Sequence, residues 1–128
     1  MKEVVTAILK KGSSILIVKR SQRVNTFVGK WSGISGRMES TPFESILREV
    51  QEETGISPNE VRLLKEGRPI LAQGEAITFK VHPFLFEVKT KNITLNWENT
   101  EYKWIKPNKI VNYDTVPKLK EVIEEVFS

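Results

Sequence analysis

Residues 41–55 read as a helix delimited at both ends, and that helix limits what the rest of the chain can be. Thr41 is an N-cap residue, Pro42 suits the first helical position, and Glu44 stands three residues after the threonine, where it completes a capping box. Phe43, Ile46, Leu47 and Val50 recur at i, i+3, i+4 and i+7 as an apolar stripe, and Gly55 falls where a left-handed C-cap residue belongs. A stripe of this kind must be buried against another element, and the flanking segments offer strands.

Residues 3–10 and 14–20 are β-rich runs separated by Lys11-Gly12-Ser13, which predicts an opening hairpin. Residues 21–38, with Gly29, Gly33 and Gly36, read as loop with a short strand near Trp31. Beyond the helix, 61–71 and 77–88 are predicted strands, the second interrupted at Pro83 with a bulge or edge position there. A further strand covers 101–105. Val116, Leu119, Val122, Ile123, Val126 and Phe127 give a C-terminal amphipathic helix. The order β-β-helix-β-β-β-helix is an α+β pattern with a mixed sheet covered by helices. At 128 residues, one domain spanning 1–128 is expected.

The helix carries more than its stripe. At ~100° per residue, Glu49, Glu52 and Glu53 fall within a roughly 100° arc, so three carboxylates share one face. Like charges at this spacing repel by ~0.2 to 0.5 kcal/mol per pair, which a divalent cation would convert into ligation and which solvent alone would otherwise screen. The chain has no cysteine and one histidine, His82, so thiolate chemistry, disulfides and multi-histidine metal sites are excluded. No Gly-x-Ser-x-Gly elbow is present to hold a nucleophilic serine. A catalytic metal would be held by oxygen, which points to Mg²⁺ or Mn²⁺. His82 reads as a strand residue rather than a catalytic one.

Charge is distributed unevenly. Seven basic residues and no acidic one lie between Val4 and Met38, whereas Glu39–Glu53 holds five glutamates against Arg48. A positive segment followed by a negative one suits an anionic ligand bridged to a metal cation, although a basic surface beside an acidic helix would read the same way. The Met1-Lys2-Glu3 start lacks a hydrophobic signal region and no long apolar run follows, so a cytoplasmic protein without a membrane span is expected.

Arg48-Glu49-Val50-Gln51-Glu52-Glu53-Thr54-Gly55-Ile56 matches, position for position, the pattern Arg-Glu-U-x-Glu-Glu-x-Gly-U, with U a bulky aliphatic residue. In this the chain resembles the Nudix hydrolase family. Trp31-Ser32-Gly33-Ile34-Ser35-Gly36 is similar to the strand and glycine turn leading into that family's motif, and Glu101-Tyr102-Lys103-Trp104-Ile105 to a strand that follows its substrate loop. The resemblance implies an α/β/α sandwich that hydrolyses a nucleoside diphosphate linked to another moiety with Mg²⁺ or Mn²⁺. It implies Glu49 and Glu53 as metal ligands, Glu52 as a third ligand or the base, and Arg48 as the residue that orients them. Glu98 is a base or further ligand brought from a late loop, or an exposed loop glutamate. Arg20, Arg23, Lys30 and Arg37 are candidate phosphate contacts. Phe27, Trp31 and Trp97 are candidate base-stacking residues, Trp31 having a core role as its alternative.

The first half of the motif departs from the family spacing of Gly, five residues, Glu, seven residues, Arg. Taking Gly36 as the motif glycine leaves the turn two residues short, and Glu39 is the carboxylate able to replace the missing glutamate. The intact helix face favours an active enzyme with a small nucleotide as its partner. The short turn favours a catalytically silent nucleotide-binding or regulatory module. No recognised RNA- or DNA-binding motif accompanies the basic segment, so nucleic acid is not the expected partner. The resemblance also admits a homodimer.

Overall fold

Strand β1 (Lys2–Lys11) is the strand on which the others are laid. In the computed structural model, which describes residues 1–128, one edge of β1 runs parallel to β7 (Thr78–Val88), from Lys2 opposite Phe79 to Lys10 opposite Glu87. Its other edge is shared. β2 (Ser14–Arg20) pairs with it only at Lys10 and Lys11, while β4 (Ile34–Arg37) pairs antiparallel with Val4–Ala7. β2 therefore leaves β1 early and takes β3 (Trp31–Ser32) and β8 (Asn99–Ile105) as antiparallel partners. On the far side β7 pairs with β5 (Val61–Glu66) and β6 (Ile70–Gln73). The eight strands form one mixed sheet.

The α/β/α sandwich follows from alternation along the central strands. Val5, Ala7 and Leu9 of β1, Leu16 and Val18 of β2, and Phe84, Phe86 and Val88 of β7 face helix α1 (Pro42–Thr54) and pack on its Ile46 and Val50. Ile8, Ile15, Ile17, Val81 and Leu85 face the other way, onto Leu119, Val122, Ile123 and Val126 of α2 (Leu119–Phe127). A sheet covered on both faces must be apolar on both, which is why 3–10 and 14–20 read as nearly continuous hydrophobic runs. No helix is long and apolar enough to cross a membrane.

Helix α1 begins and ends where its local signals require. Thr41 accepts from the Glu44 N–H at 3.2 Å, and the Glu44 carboxylate accepts the Thr41 hydroxyl rather than closing a box on the backbone. Gly55 takes φ +79°, and its N–H caps the Gln51 carbonyl.

Three strand assignments differ from expectation, the first being Ile34–Arg37, read as loop and found as β4 on the edge of β1. The single strand expected over 61–71 is two, β5 and β6, which follow the same edge of β7 and are separated by a break in the ladder at Gly67-Arg68-Pro69. Nor does Pro83 interrupt β7. Its carbonyl accepts from Gly67 N–H across the break between β5 and β6, so its missing N–H falls where the ladder is already interrupted. A register irregularity does occur nearby, in β5 between Leu63 and Lys65.

Ile46 is fully buried between α1 and the sheet. Ile46→Ala is expected to cost about 2 to 5 kcal/mol of stability, through lost transfer energy and the cavity left behind. Urea denaturation at unchanged m-value is the measurement; a loss below about 1 kcal/mol would mean that α1 is not anchored through this contact.

Candidate functional site

One turn of α1 brings Glu49 and Glu53 onto the same face, and the helix is docked so that both are buried, 8% and 3% exposed. Glu98, in the turn just before β8, completes a group of three. One carboxylate oxygen from each lies within 4.8 Å of the others. The loop that delivers Glu98 is tied to the helix by the Thr94 N–H, which donates to the Thr54 carbonyl at 3.0 Å.

These carboxylates are close together where water is scarce. Burial, followed by repulsion from Glu98, holds the Glu53 carboxyl well above the ordinary range. Burial likewise pushes Glu49 up to about 6. Glu53 Oε1 accepts from Asn99 Nδ2 at 3.0 Å, whereas its Oε2 is buried without any hydrogen-bond partner. An unpaired carboxylate oxygen within a three-carboxylate group fits a hard divalent cation.

Arg48 stands beside the group and gathers its periphery. Its guanidinium lies 3.5 Å from Glu39 Oε2, 3.7 Å from Glu49 Oε1 and 3.8 Å from Glu52 Oε1. Glu39 thus reaches Arg48 in spite of the short turn. Glu52 is exposed and pairs with Arg48, and the third member of the carboxylate group is the half-buried Glu98. Gly36 supplies the space for Glu49: a Cβ at this position would collide with the Glu49 carboxyl group.

A cleft of about 260 Å³ opens where β2 diverges from β1, with Gly36 and Glu98 on its rim. Its floor carries Thr6, Ser32 and Ser35, the Thr6 and Ser35 hydroxyls 2.9 Å apart. Phe27 and Phe79 form an aromatic wall with ring centroids 6.0 Å apart. Phe27 has φ +51°, a conformation uncommon for a bulky residue, and the preceding Thr26 is held by Arg20 through Nε to the carbonyl (2.9 Å) and Nη2 to the hydroxyl (3.2 Å). Burial lowers the pKa of Arg20, while the Glu53 and Glu98 carboxylates beside it pull the value back up.

Of the residues singled out as substrate contacts, Arg20, Arg37 and Phe27 line this cleft. The others lie elsewhere. Arg23 sits over the Trp97 ring at 5.4 Å. Lys30 pairs with Asp114 at 2.8 Å, and Trp31, 8% exposed, packs edge-on against Tyr113 in the α2-side core. His82 bridges to Glu3 Oε1 at 2.8 Å on the sheet. Asn99, Phe79 and the three hydroxyl residues escaped the sequence reading. Thr6, a lone polar residue inside an apolar strand, was the one available signal among them.

A family model described as NUDIX domain matches residues 2–126. Comparison with curated protein sequences finds no match. Among solved structures the chain is similar to the MutT protein from Methanosarcina mazei Go1, with TM-score 0.78 and 23% identity over 96% of this chain and 90% of that one. It is similar to a C. elegans Ap4A hydrolase at TM-score 0.80 and 12% identity, over 98% and 94% of the two chains. The NUDIX domain of Shewanella oneidensis NrtR, complexed with ADP ribose, gives TM-score 0.77 and 16% identity over 98% and 85%. At these identities the likeness is one of fold.

Two outcomes are expected from this geometry. In the unfolded chain Glu49 and Glu53 return to the usual carboxylate range near ~4.3. Between that value and their raised folded values the folded state binds more protons, so stability falls as pH rises through this window. Without metal, the melting temperature should be lower at about pH 7.5 than at about pH 5, and millimolar divalent cation should remove most of the difference. A profile that rises with pH across this window would refute it. Gly36→Ala should displace Glu49 and weaken Mn²⁺ binding ~10 to 100-fold while leaving far-UV circular dichroism unchanged; calorimetric titration reads it directly.

Proposed function

The chain belongs to the Nudix hydrolase family, and on that premise we propose that it is a metal-dependent hydrolase cleaving the pyrophosphate bond of a nucleoside diphosphate linked to another moiety. The observation that carries this reading is the group formed by buried Glu49 and Glu53 with half-buried Glu98, which has an unpartnered Glu53 Oε2 and meets the cleft through Glu98.

Glu49 and Glu53 would hold Mg²⁺ or Mn²⁺, with Glu98 as a further ligand or as the base. When bound, the cation supplies charge neutralisation on bridging phosphates and a more acidic water. The protein side supplies position and a proton acceptor. Arg48 orients Glu49 and ties Glu39 and Glu52 to the same centre, and Glu52 is the alternative base on its exposed side. Arg20 and Arg37 line the cleft as cations for the phosphates, stabilising the leaving phosphate as charge develops on it. The Phe27–Phe79 wall suits the flat face of a base and the hydroxyl floor its polar edge. One similar structure is an Ap4A hydrolase and another is complexed with ADP ribose; both compounds have this kind of linkage, which supports the substrate class without choosing within it.

The short turn before α1 favours a second reading, a nucleotide-binding module without turnover. One experiment separates the two. Nucleoside triphosphates, dinucleoside polyphosphates, ADP-ribose and sugar nucleotides are assayed with Mg²⁺ for phosphate or mononucleotide release, alongside Glu53→Gln. Turnover by the parent protein that falls at least about a hundredfold in the variant is expected. Binding of a nucleotide without turnover would establish the silent module, and full activity in Glu53→Gln would remove this carboxylate from the mechanism.

A further inference from the structure

Asn99 is 6% exposed, and its side-chain amide spends one of its N–H groups on a carboxylate that has just been assigned to a metal centre. A one-residue slip in the β2–β8 ladder brings it there. Ile15 to Lys19 pair in regular register with Ile105 to Glu101, but Arg20 lies opposite Asn99 rather than Thr100. The extra residue at Thr100 turns Asn99 onto the strand face shared with Trp104, the face that packs toward α1. Nδ2 then donates to Glu53 Oε1 at 3.0 Å, between two side chains that are both buried.

We propose that Asn99 is a positioning residue for the divalent cation. By holding Oε1 it fixes the plane of the Glu53 carboxylate and leaves Oε2, which has no other partner, as the oxygen a cation receives. The residue type matters. Lysine or arginine in its place would put a fixed positive charge beside Glu53 and compete with the cation, whereas aspartate or glutamate would add repulsion and donate no proton. An amide donates while remaining neutral, so it orders the carboxylate without changing the charge of the site. This inference rests on the reading of Glu49, Glu53 and Glu98 as a cation site.

The test titrates Mn²⁺ into the parent protein and into Asn99→Leu, which keeps the volume and removes the donor, following binding by calorimetry. Asn99→Ala serves the same comparison should the leucine variant not fold. The expected result is Mn²⁺ binding by the parent and a ~10 to 100-fold weaker affinity in the variant. Turnover lost at low Mn²⁺ should return when Mn²⁺ is raised by the same factor, which a purely structural defect would not allow. Equal Mn²⁺ affinity in parent and variant would overturn the role of Asn99 while leaving the cation site standing. Absence of Mn²⁺ binding by the parent protein would overturn the cation site itself.

Discussion

Carboxylates repel one another most strongly where water cannot screen them, and this chain holds two of them one helical turn apart beneath its surface, with a third brought from a distant loop. An arrangement of this kind does not persist unless other parts of the molecule enforce it. Here the enforcement comes from the docking of α1 on the sheet through Ile46 and Val50, the Thr94–Thr54 tether, the missing side chain at Gly36 and the guanidinium of Arg48. Each bears on a different feature: helix position, loop position, side-chain space and local charge. The repulsion stored there is what a divalent cation would relieve.

What could be read from the sequence tracks how local each signal is. Helix α1 is legible because its caps, apolar stripe and acidic face all lie within fifteen residues and agree with one another. The opening hairpin is legible for the same reason. Pro83 misleads because its tolerance in β7 depends on a break between two other strands, a fact held by residues 66–70 and invisible at position 83. The splitting of 61–71 is missed although Gly67 and Pro69 mark it, since the apolar residues on either side outweigh them in a run-based reading. The parallel pairing of β1 with β7 has no local signature at all.

The candidate site divides along the same line. Glu49 and Glu53 come from one motif, and a helical wheel suffices to place them together. Glu98 joins them only through the loop tether, and Glu39 reaches Arg48 because the short turn still passes close to the helix. Among the cations, no sequence argument separates Arg20 from Lys30. Arg20 ends a central strand and points at the glutamates, whereas Lys30 is held at the surface by Asp114, eighty-four residues away. Trp31 is placed by the isolated pairing of its backbone with Thr115, which draws its ring into the α2-side core.

The pairing of β1 with β7 also sets an order of events during synthesis. β1 and β2 are made well before β7 and are joined to each other by only the two pairs at Lys10 and Lys11, so the segment Val5–Leu9 waits for Phe84 and its neighbours before its long edge is covered. That segment is uncharged and rich in β-branched residues, the composition that recruits other chains when its backbone is left unpaired. Lysines stand at both ends of β1, Lys2 on one side and Lys10 and Lys11 on the other, the placement in which flanking charge opposes such pairing. The central strand of the sheet is thus one whose long-edge partner is made much later, and its flanking charges bear on the chain before the fold is complete.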